Sequence, residues 1–401
     1  MRAPPPAPEW ASSLLSVGVT GTNGKTSTTG MIAALLGVAA RPVARSTTLG
    51  CFLDDERLEV EPHYAGFLQT MQRCLAAGGR YAAIEMTSEA LALGFAKAWP
   101  CRVGVFTNLT LDHSDAHGSA EHYLASKAQL FMSVAAGGFA VLNGCDENAE
   151  LLQEVLRPGV DVVRYGLGSR GAAWAALDLT ATNVALSWAG TSATLLPSSR
   201  FVRLPAELEL QTIGEVFVEN ALAALGAALA LGVPLEPALK ALARVPAPPG
   251  RFEVVRQRPY VVVDYAHTPD ALERTLATAR KLCRGALCVV FGAGGDRDHA
   301  KRPLLGLAAR AAERIVLTSD NPRSEAPDAI IEAIAAGVGA HASLRREVDR
   351  ARAIQLALAE AAPDDVIVIA GKGHEQIQIL GNQTLPFSDV AVVRQWDKSA
   401  R

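Results

Sequence analysis

Short apolar runs, each giving way to glycine or a polar cluster, recur along the chain, and stretches of helical periodicity separate them. Residues 17–19 read as the end of a buried strand, Gly21 and Gly24 as a tight turn, and Lys25 opens a helix that Arg41-Pro42 ends. A polar segment at 46–50 precedes a second helix, about 63–77, closed by Gly78-Gly79. Residues 81–84 then form a buried strand that delivers Glu85 at its carboxyl end. Residues 102–106 and 140–142 repeat the strand signal, and between them a helix beginning near Ala120 carries Lys127 among Leu124, Leu130 and Phe131. From about 161 to 212 short alternating runs, such as 184–188 and 201–204, predict an antiparallel β excursion. Helical periodicity returns over 215–245, broken by Gly232-Val233-Pro234.

The proline-rich stretch 246–250 marks the best domain boundary, because proline stiffens a connection and removes donors that a fold would need. Beyond it, strand runs at 260–263, 287–291, 315–318 and 366–370 alternate with helical segments, a βαβ rhythm. The expected class is α/β: a proline-rich tail over 1–15, a mostly parallel P-loop domain over 16–245, and a doubly wound domain over 246–401.

Composition removes several function classes. The 401 residues carry 38 Lys+Arg against 41 Asp+Glu, a net charge of −3, which supplies no basic stripe for nucleic acid or an anionic membrane. Neither a signal-peptide core nor a membrane-length apolar run is found, so a cytoplasmic location is expected. The six cysteines include no C-x-x-C pair, which argues against a zinc ribbon or redox dithiol and fits buried thiols in a reducing compartment.

Candidate chemistry concentrates at the strand ends. In VGVTGTNGKTSTTG, the turn Gly21-Thr22-Asn23-Gly24 can aim backbone amides at anionic oxygens, and the following helix presents its positive end. Lys25 supplies a point charge to phosphates and the Thr26 hydroxyl a ligand to Mg²⁺, although Val19 stands where a strict P-loop has its first glycine. Glu85 can face the same metal, or be a solvated or capping carboxylate. His113, His117 and His122 lie close in sequence, but Gly118 and Ser119 break the helical spacing that a three-histidine zinc site needs. Lys127, a lone lysine on a helix, reads by itself as a solvated surface residue. Gly292-Ala293-Gly294-Gly295-Asp296-Arg297-Asp298 with Lys301-Arg302, and Gly371-Lys372-Gly373-His374-Glu375, each combine an anion nest with cations.

Taken in order, GTNGKT, IEMTSEALALG, VFTNLTLDHSDAHGSAEHYLASKAQLF, PPGRFE, VVDYAHTPDALE, FGAGGDRDHAKRP, SDNPR and GKGHE resemble the Mur ligase family, over about residues 16–390. The likeness is closest to the branch that adds diaminopimelate to a UDP-linked muramoyl dipeptide. It implies a central ATPase domain, a Rossmann-like C-terminal domain, and amide formation with release of ADP and phosphate, as in cell-wall peptidoglycan synthesis. Carried over residue by residue, it gives Lys25 to the ATP phosphates, Thr26 and Glu85 to Mg²⁺, and His113 to a second Mg²⁺. Lys127 falls where the family has a lysine carbamylated by CO₂, an anion able to accept metal where an ammonium would repel it. Asn220, Arg251, Asp264, Tyr265 and His267 match nucleotide-side positions. Asp320, Asn321, Arg323, Gly371 and Glu375 match residues that hold the incoming amino acid, and Thr47, Thr48 and Ser88 match substrate positions.

The sequence departs from that branch in two places. Only about sixteen residues precede the first strand, where the family has a UDP-binding domain, and Thr87-Ser88-Glu89 stands where Ser-Ser-His is usual. A smaller carboxylate acceptor, or one presented by a partner protein, is therefore expected. A P-loop kinase or NTPase, or a non-catalytic nucleotide-sensing subunit, is the alternative, but both leave the dense loops of the second domain unexplained.

Overall fold

The computed structural model describes residues 3–61, 63–110, 120–170 and 176–399. They fall into two compact units that part between Pro246 and Ala247. Among the described residues no helix is long and apolar enough to cross a membrane.

In the first unit the strands are β1 (Leu15–Thr20), β2 (Val43–Thr47), β3 (Gly50–Leu53), β4 (Glu56–Leu58), β5 (Tyr81–Glu85), β6 (Val103–Phe106), β7 (Phe139–Asn143), β8 (Asp161–Leu167), β9 (Leu179–Ser187), β10 (Gly190–Leu195) and β11 (Ala206–Leu210). They form one sheet in the order β11-β10-β9-β8-β7-β6-β1-β5-β2-β3-β4. The stretch from β2 to β9 is parallel throughout, and hairpins extend both edges antiparallel. Parallel strands are covered on both faces, which is why β5, β6 and β7 read as apolar runs rather than alternations. Ile84, Met86, Phe106, Leu130, Phe131 and Leu142 sit in one buried cluster beside them. β1 lies where the strand order reverses, with β5 on one side and β6 on the other, so the crevice for a ligand opens at its carboxyl end.

The excursion over 161–212 is antiparallel only in its second half. β8 pairs parallel with β7 and β9 parallel with β8, continuing the sheet, and only β10 and β11 turn back. Residues 201–204 are not a strand, and Leu204 is 76% exposed. Pro205 restricts the residue before it and donates nothing to a ladder, so pairing starts at Ala206. The polar segment at 46–50 is the tip of the β2–β3 hairpin, which places Thr47 and Thr48 at the carboxyl end of β2.

The second unit holds β12 (Glu253–Gln257), β13 (Tyr260–Asp264), β14 (Leu287–Phe291), β15 (Arg314–Leu317), β16 (Leu344–Arg346) and β17 (Val366–Ala370), in the order β12-β13-β17-β14-β15-β16. All but β12 are parallel. A separate hairpin pairs β18 (Ile377–Leu380) with β19 (Gln383–Pro386). Beneath the carboxyl ends of β15 and β17 lies a fully buried ion pair, Arg350 with Asp389 at 2.7 Å. The same guanidinium donates to the carbonyls of Ser319, at 3.3 Å, and Ala370, at 2.9 Å. Burial lowers the pKa of Arg350, but Asp389 more than offsets it, so the group stays cationic. Arg350 thus ties together the two strand ends from which the loops at 320–323 and 371–375 depart.

Candidate active site

The helix Lys25–Ala39 starts from Gly24, whose left-handed backbone (φ 85°) turns the chain sharply out of β1. A strap from the end of β6 holds the loop before it. Thr22 N–H donates to the Asn108 carbonyl at 2.8 Å, Asn23 N–H to Asn108 Oδ1 at 2.9 Å, and Thr107 Oγ1 to the Asn23 carbonyl at 2.7 Å. Two of the loop amides are therefore engaged by the strap, and the helix that follows presents its positive end to an anion.

Two lysines converge on one carbonyl of this loop. Lys25 Nζ donates to Gly21 O at 3.0 Å and Thr22 O at 2.8 Å, and Lys127 Nζ donates to Gly21 O at 2.8 Å. Lys127 is 1% exposed and its ammonium lies 3.9 Å from the centre of the Tyr123 ring. It is thus not the solvated surface lysine that its helix alone suggests. The helix Ala120–Met132 sits close on β1 because residue 18 is glycine: a Cβ there would lie 2.8 Å from Leu130 Cδ1. That seat brings Lys127 to the phosphate loop.

Opposite stands an all-oxygen cluster. Glu85 Oε2 accepts from Thr26 Oγ1 at 2.9 Å, Thr48 N–H at 3.2 Å and Thr48 Oγ1 at 3.4 Å. A carboxylate and two hydroxyls suit a hard cation such as Mg²⁺. Asn220 is buried, and its Oδ1 would lie 2.3 Å from a Cβ on Gly24, so it abuts the turn. Ser88 is buried in the first turn of a short helix whose cap is Thr87, while its neighbour Glu89 is exposed. His113 lies outside the described residues, as does the run 111–119 around it.

In the second unit the residues of the D-Y-A-H-x-P loop divide into a brace and a stack. Asp264 accepts from Phe252 N–H at 2.6 Å, Ala266 N–H at 2.8 Å and Thr275 Oγ1 at 3.2 Å, which fixes the loop. Burial raises its pKa, and these bonds with Arg251 oppose the rise. The Tyr265 ring lies 4.5 Å from the Arg251 guanidinium and 4.6 Å from the His267 ring. Arg302, in the glycine-rich loop's cation pair, is not available to a ligand. It is buried and grips Glu325 through two bonds of 2.9 and 2.7 Å, which hold that carboxyl down at about 2.

Asn321, Arg323 and Glu375 come together across the ends of β15 and β17. Asn321 Nδ2 donates to Glu375 Oε2 at 2.9 Å, and Arg323 NH1 donates to Gly295 O at 2.7 Å and to the Asn321 carbonyl at 3.5 Å. Arg323 is held in the left-handed region (φ 51°), pinned by its N–H to Ile379 O at 3.2 Å and by its carbonyl from Gly381 N–H at 2.8 Å. A non-glycine residue there carries strain of about 1–3 kcal/mol and persists where its surroundings over-determine it, as at a ligand clamp. Asp320 lies against Gly371, where an added Cβ would meet its Oδ2 at 2.7 Å. Lys372, expected as a cation of an anion nest, is instead fully buried between Asn321 and Glu375. Its position between two glycines at a strand end is the only local sign of this burial.

Comparison with known proteins accounts for both sites at once. The Mur ligase middle domain matches residues 19–228, and the Mur ligase glutamate ligase domain matches residues 250–373. The chain belongs to the Mur ligase family. The UDP-N-acetylmuramoyl-L-alanyl-D-glutamate--2,6-diaminopimelate ligase of Thermosynechococcus vestitus is 43% identical over 384 residues, covering 93% of this chain and 74% of that protein. The Bacillus cereus ligase of the same name is 36% identical over 392 residues, covering 94% and 77%. A solved structure of a ligase with that name superposes with a TM-score of 0.67 at 33% identity, over 97% of this chain and 79% of that one. A folylpolyglutamate synthase of Mycobacterium tuberculosis, at 21% identity and a TM-score of 0.71, shares the fold. This Mur ligase is an ATP-dependent enzyme that joins an amine to a carboxylate. ATP and Mg²⁺ are the family's cofactors, and the phosphate loop with the Thr26, Thr48 and Glu85 oxygens fits them.

Proposed function

We propose that this Mur ligase adds a diaminopimelate-like amino acid to a glutamyl-type carboxylate acceptor, with the unit up to Pro246 as the ATP-binding domain and the unit after it as the amino-acid domain. The carrying observation is the convergence of Glu375 and Arg323 about Asn321, a carboxylate and a cation fixed to one scaffold. Such a pair can hold both the ammonium and the distal carboxylate of an amino acid.

The chemistry starts from a poor electrophile. A carboxylate repels a nucleophile and has no good leaving group, and phosphorylation removes both obstacles. Lys25 and the first-turn amides hold the phosphates where charge develops in transfer. Thr26 and Glu85 hold Mg²⁺, with His113 at a second ion, and bound Mg²⁺ supplies charge neutralisation to the transferring phosphoryl group. Asn220 of the first unit is assigned to the nucleotide, as are Arg251, Asp264, Tyr265 and His267 of the second. Thr47, Thr48 and Ser88 face the acceptor.

Lys127 is proposed to act as a carbamate. Two ammonium groups sharing the Gly21 carbonyl repel each other, whereas an anionic carbamate attracts both Lys25 and a metal ion.

The acceptor follows the relatives' names: a UDP-N-acetylmuramoyl dipeptide ending in D-glutamate. A second reading, a smaller acceptor or one presented by a partner protein, rests on Glu89. Its carboxylate is exposed and screened by water, so its repulsion of an anionic acceptor is weak, which places that reading second. Phosphate release measured over a panel of acceptors and amino acids tests both. A kcat/KM of about 10⁴ M⁻¹s⁻¹ or more with the UDP-linked dipeptide and diaminopimelate supports the first reading. Release with neither substrate required, or a preference for lysine over diaminopimelate, overturns it.

A further inference from the structure

Lys372 is 0% exposed, yet its ammonium reaches two of the residues just assigned to the amino acid. Nζ donates to Asn321 Oδ1 at 3.1 Å and to Glu375 Oε2 at 2.9 Å. The orientation of the Asn321 amide is fixed independently of Lys372. The main-chain N–H of Ile379, which can only donate, lies 3.0 Å from the same Oδ1. Oδ1 must therefore be the oxygen, and Nδ2 is turned to Glu375 Oε2 at 2.9 Å. The three side chains close a triangle in which each touches the other two.

The triangle treats the two oxygens of Glu375 unequally. Oε2 accepts both Lys372 and Asn321, while Oε1 accepts nothing among the described residues, and the Glu375 side chain remains 28% exposed. We propose that Lys372 is a positioning residue for the ligation reaction: it locks Glu375 through Oε2 so that Oε1 is presented in one direction to the ammonium of the incoming amino acid. This deepens the proposed function and rests on its assignment of Glu375. Lys372 itself touches no substrate, since it is sealed beneath the loop.

A carboxylate on two single bonds normally rotates, and each rotamer that turns away weakens capture of the amine. Two charge-assisted or amide donors on one oxygen remove that freedom before binding, so the ordering is already in place when the amino acid arrives. A merely structural ion pair would lower the stability of the unit without discriminating among substrates.

The test is a double-mutant cycle on the purified full chain, using whichever amino acid the unaltered enzyme uses best in the panel described above. Failure of the diaminopimelate reading then shows in the panel, and failure of the Lys372 reading shows in the variants. Lys372→Met should raise KM for the amino acid about 10- to 100-fold, the loss of about 1.4–2.8 kcal/mol, with KM for ATP changed less than twofold. Glu375→Gln should show a similar selective rise. Lys372→Met combined with Glu375→Gln should lie within about threefold of Glu375→Gln alone, because Lys372 acts through Glu375. The double variant leaves no uncompensated buried charge, so it can be read even where Lys372→Met fails to fold. An unaltered amino-acid KM in Lys372→Met, a parallel rise in KM for ATP, or a double variant in which the two effects multiply would overturn the proposal.

Discussion

Replacing Gly21 by alanine should weaken ATP binding by about 30- to 150-fold, and the estimate can be built from the loop's contacts. A Cβ at this position would stand 1.9 Å from Thr107 Oγ1 and 3.0 Å from both the N and O of Asn108, at a φ of +148°. Thr107 must rotate away and give up its 2.7 Å bond to the Asn23 carbonyl, a net loss of about 1 kcal/mol. A side chain in a positive-φ conformation adds about 1–2 kcal/mol. Together these make about 2–3 kcal/mol that ATP binding must supply to restore the loop, and about 1.4 kcal/mol corresponds to each factor of ten. The Gly21 carbonyl itself anchors Lys25 and Lys127, so displacing it also disturbs both cations. Calorimetric titration with Mg·ATP reads the effect, and thermal unfolding checks that the fold survives. Adding Thr107→Ala to Gly21→Ala removes the 1.9 Å contact but restores neither the bond to Asn23 nor an unstrained φ, so the double variant should stay within about threefold of Gly21→Ala alone. An affinity for Gly21→Ala within threefold of the unaltered enzyme, or losses that multiply in the double variant, refutes the reasoning.

Three further outcomes are expected. Lys127→Ala should nearly abolish turnover and be partly rescued by short carboxylic acids that restore an anion near the metal; full activity in the variant, or an intact mass showing a free amine in active enzyme, contradicts the carbamate. Arg323→Ala should raise KM for diaminopimelate by about 10- to over 100-fold, the size of a lost charge-assisted contact of about 1.5–3 kcal/mol, with ATP affinity unchanged by titration. Arg302 holds the Glu325 carboxyl down at about 2, below the ordinary glutamate value, so this pair stabilises the fold above that ordinary value and its contribution is lost as pH falls toward 2. Acid unfolding followed by circular dichroism should therefore be shallower in this window for Glu325→Gln, and an unchanged acid limb would remove the pair from the account.

Much of the frame was legible because parallel strands buried on both faces leave apolar runs that stop where the ligand loops begin. Residues 81–84 leading to Glu85, and 366–370 leading to Gly371, show this directly. The β2–β3 hairpin was not legible as strand, since only Val43 and Ala44 are fully buried, the rest are half-buried and polar at the tip, and local pattern gives no sign of a partner. Lys127 shows a different limit. Its own helix says surface, and its burial follows from a glycine in β1 that lets the helix approach. The triangle of Asn321, Lys372 and Glu375 joins residues 51 and 54 positions apart, so only the fold brings it together. Thr22 and Asn23 were legible as loop, but the engagement of their amides by Asn108 was not, because that partner arrives from β6.

The central claim, an acyl phosphate formed on the acceptor carboxylate, is tested most directly by following that carboxylate's oxygen. The acceptor, as the UDP-linked dipeptide or the best substrate from the panel, is labelled with ¹⁸O in its reacting carboxyl and turned over with ATP, Mg²⁺ and the amino acid. Mass spectrometry of the released phosphate should show one ¹⁸O per amide bond formed. Unlabelled phosphate, or a stable phosphorylated product with no amide, would contradict the account.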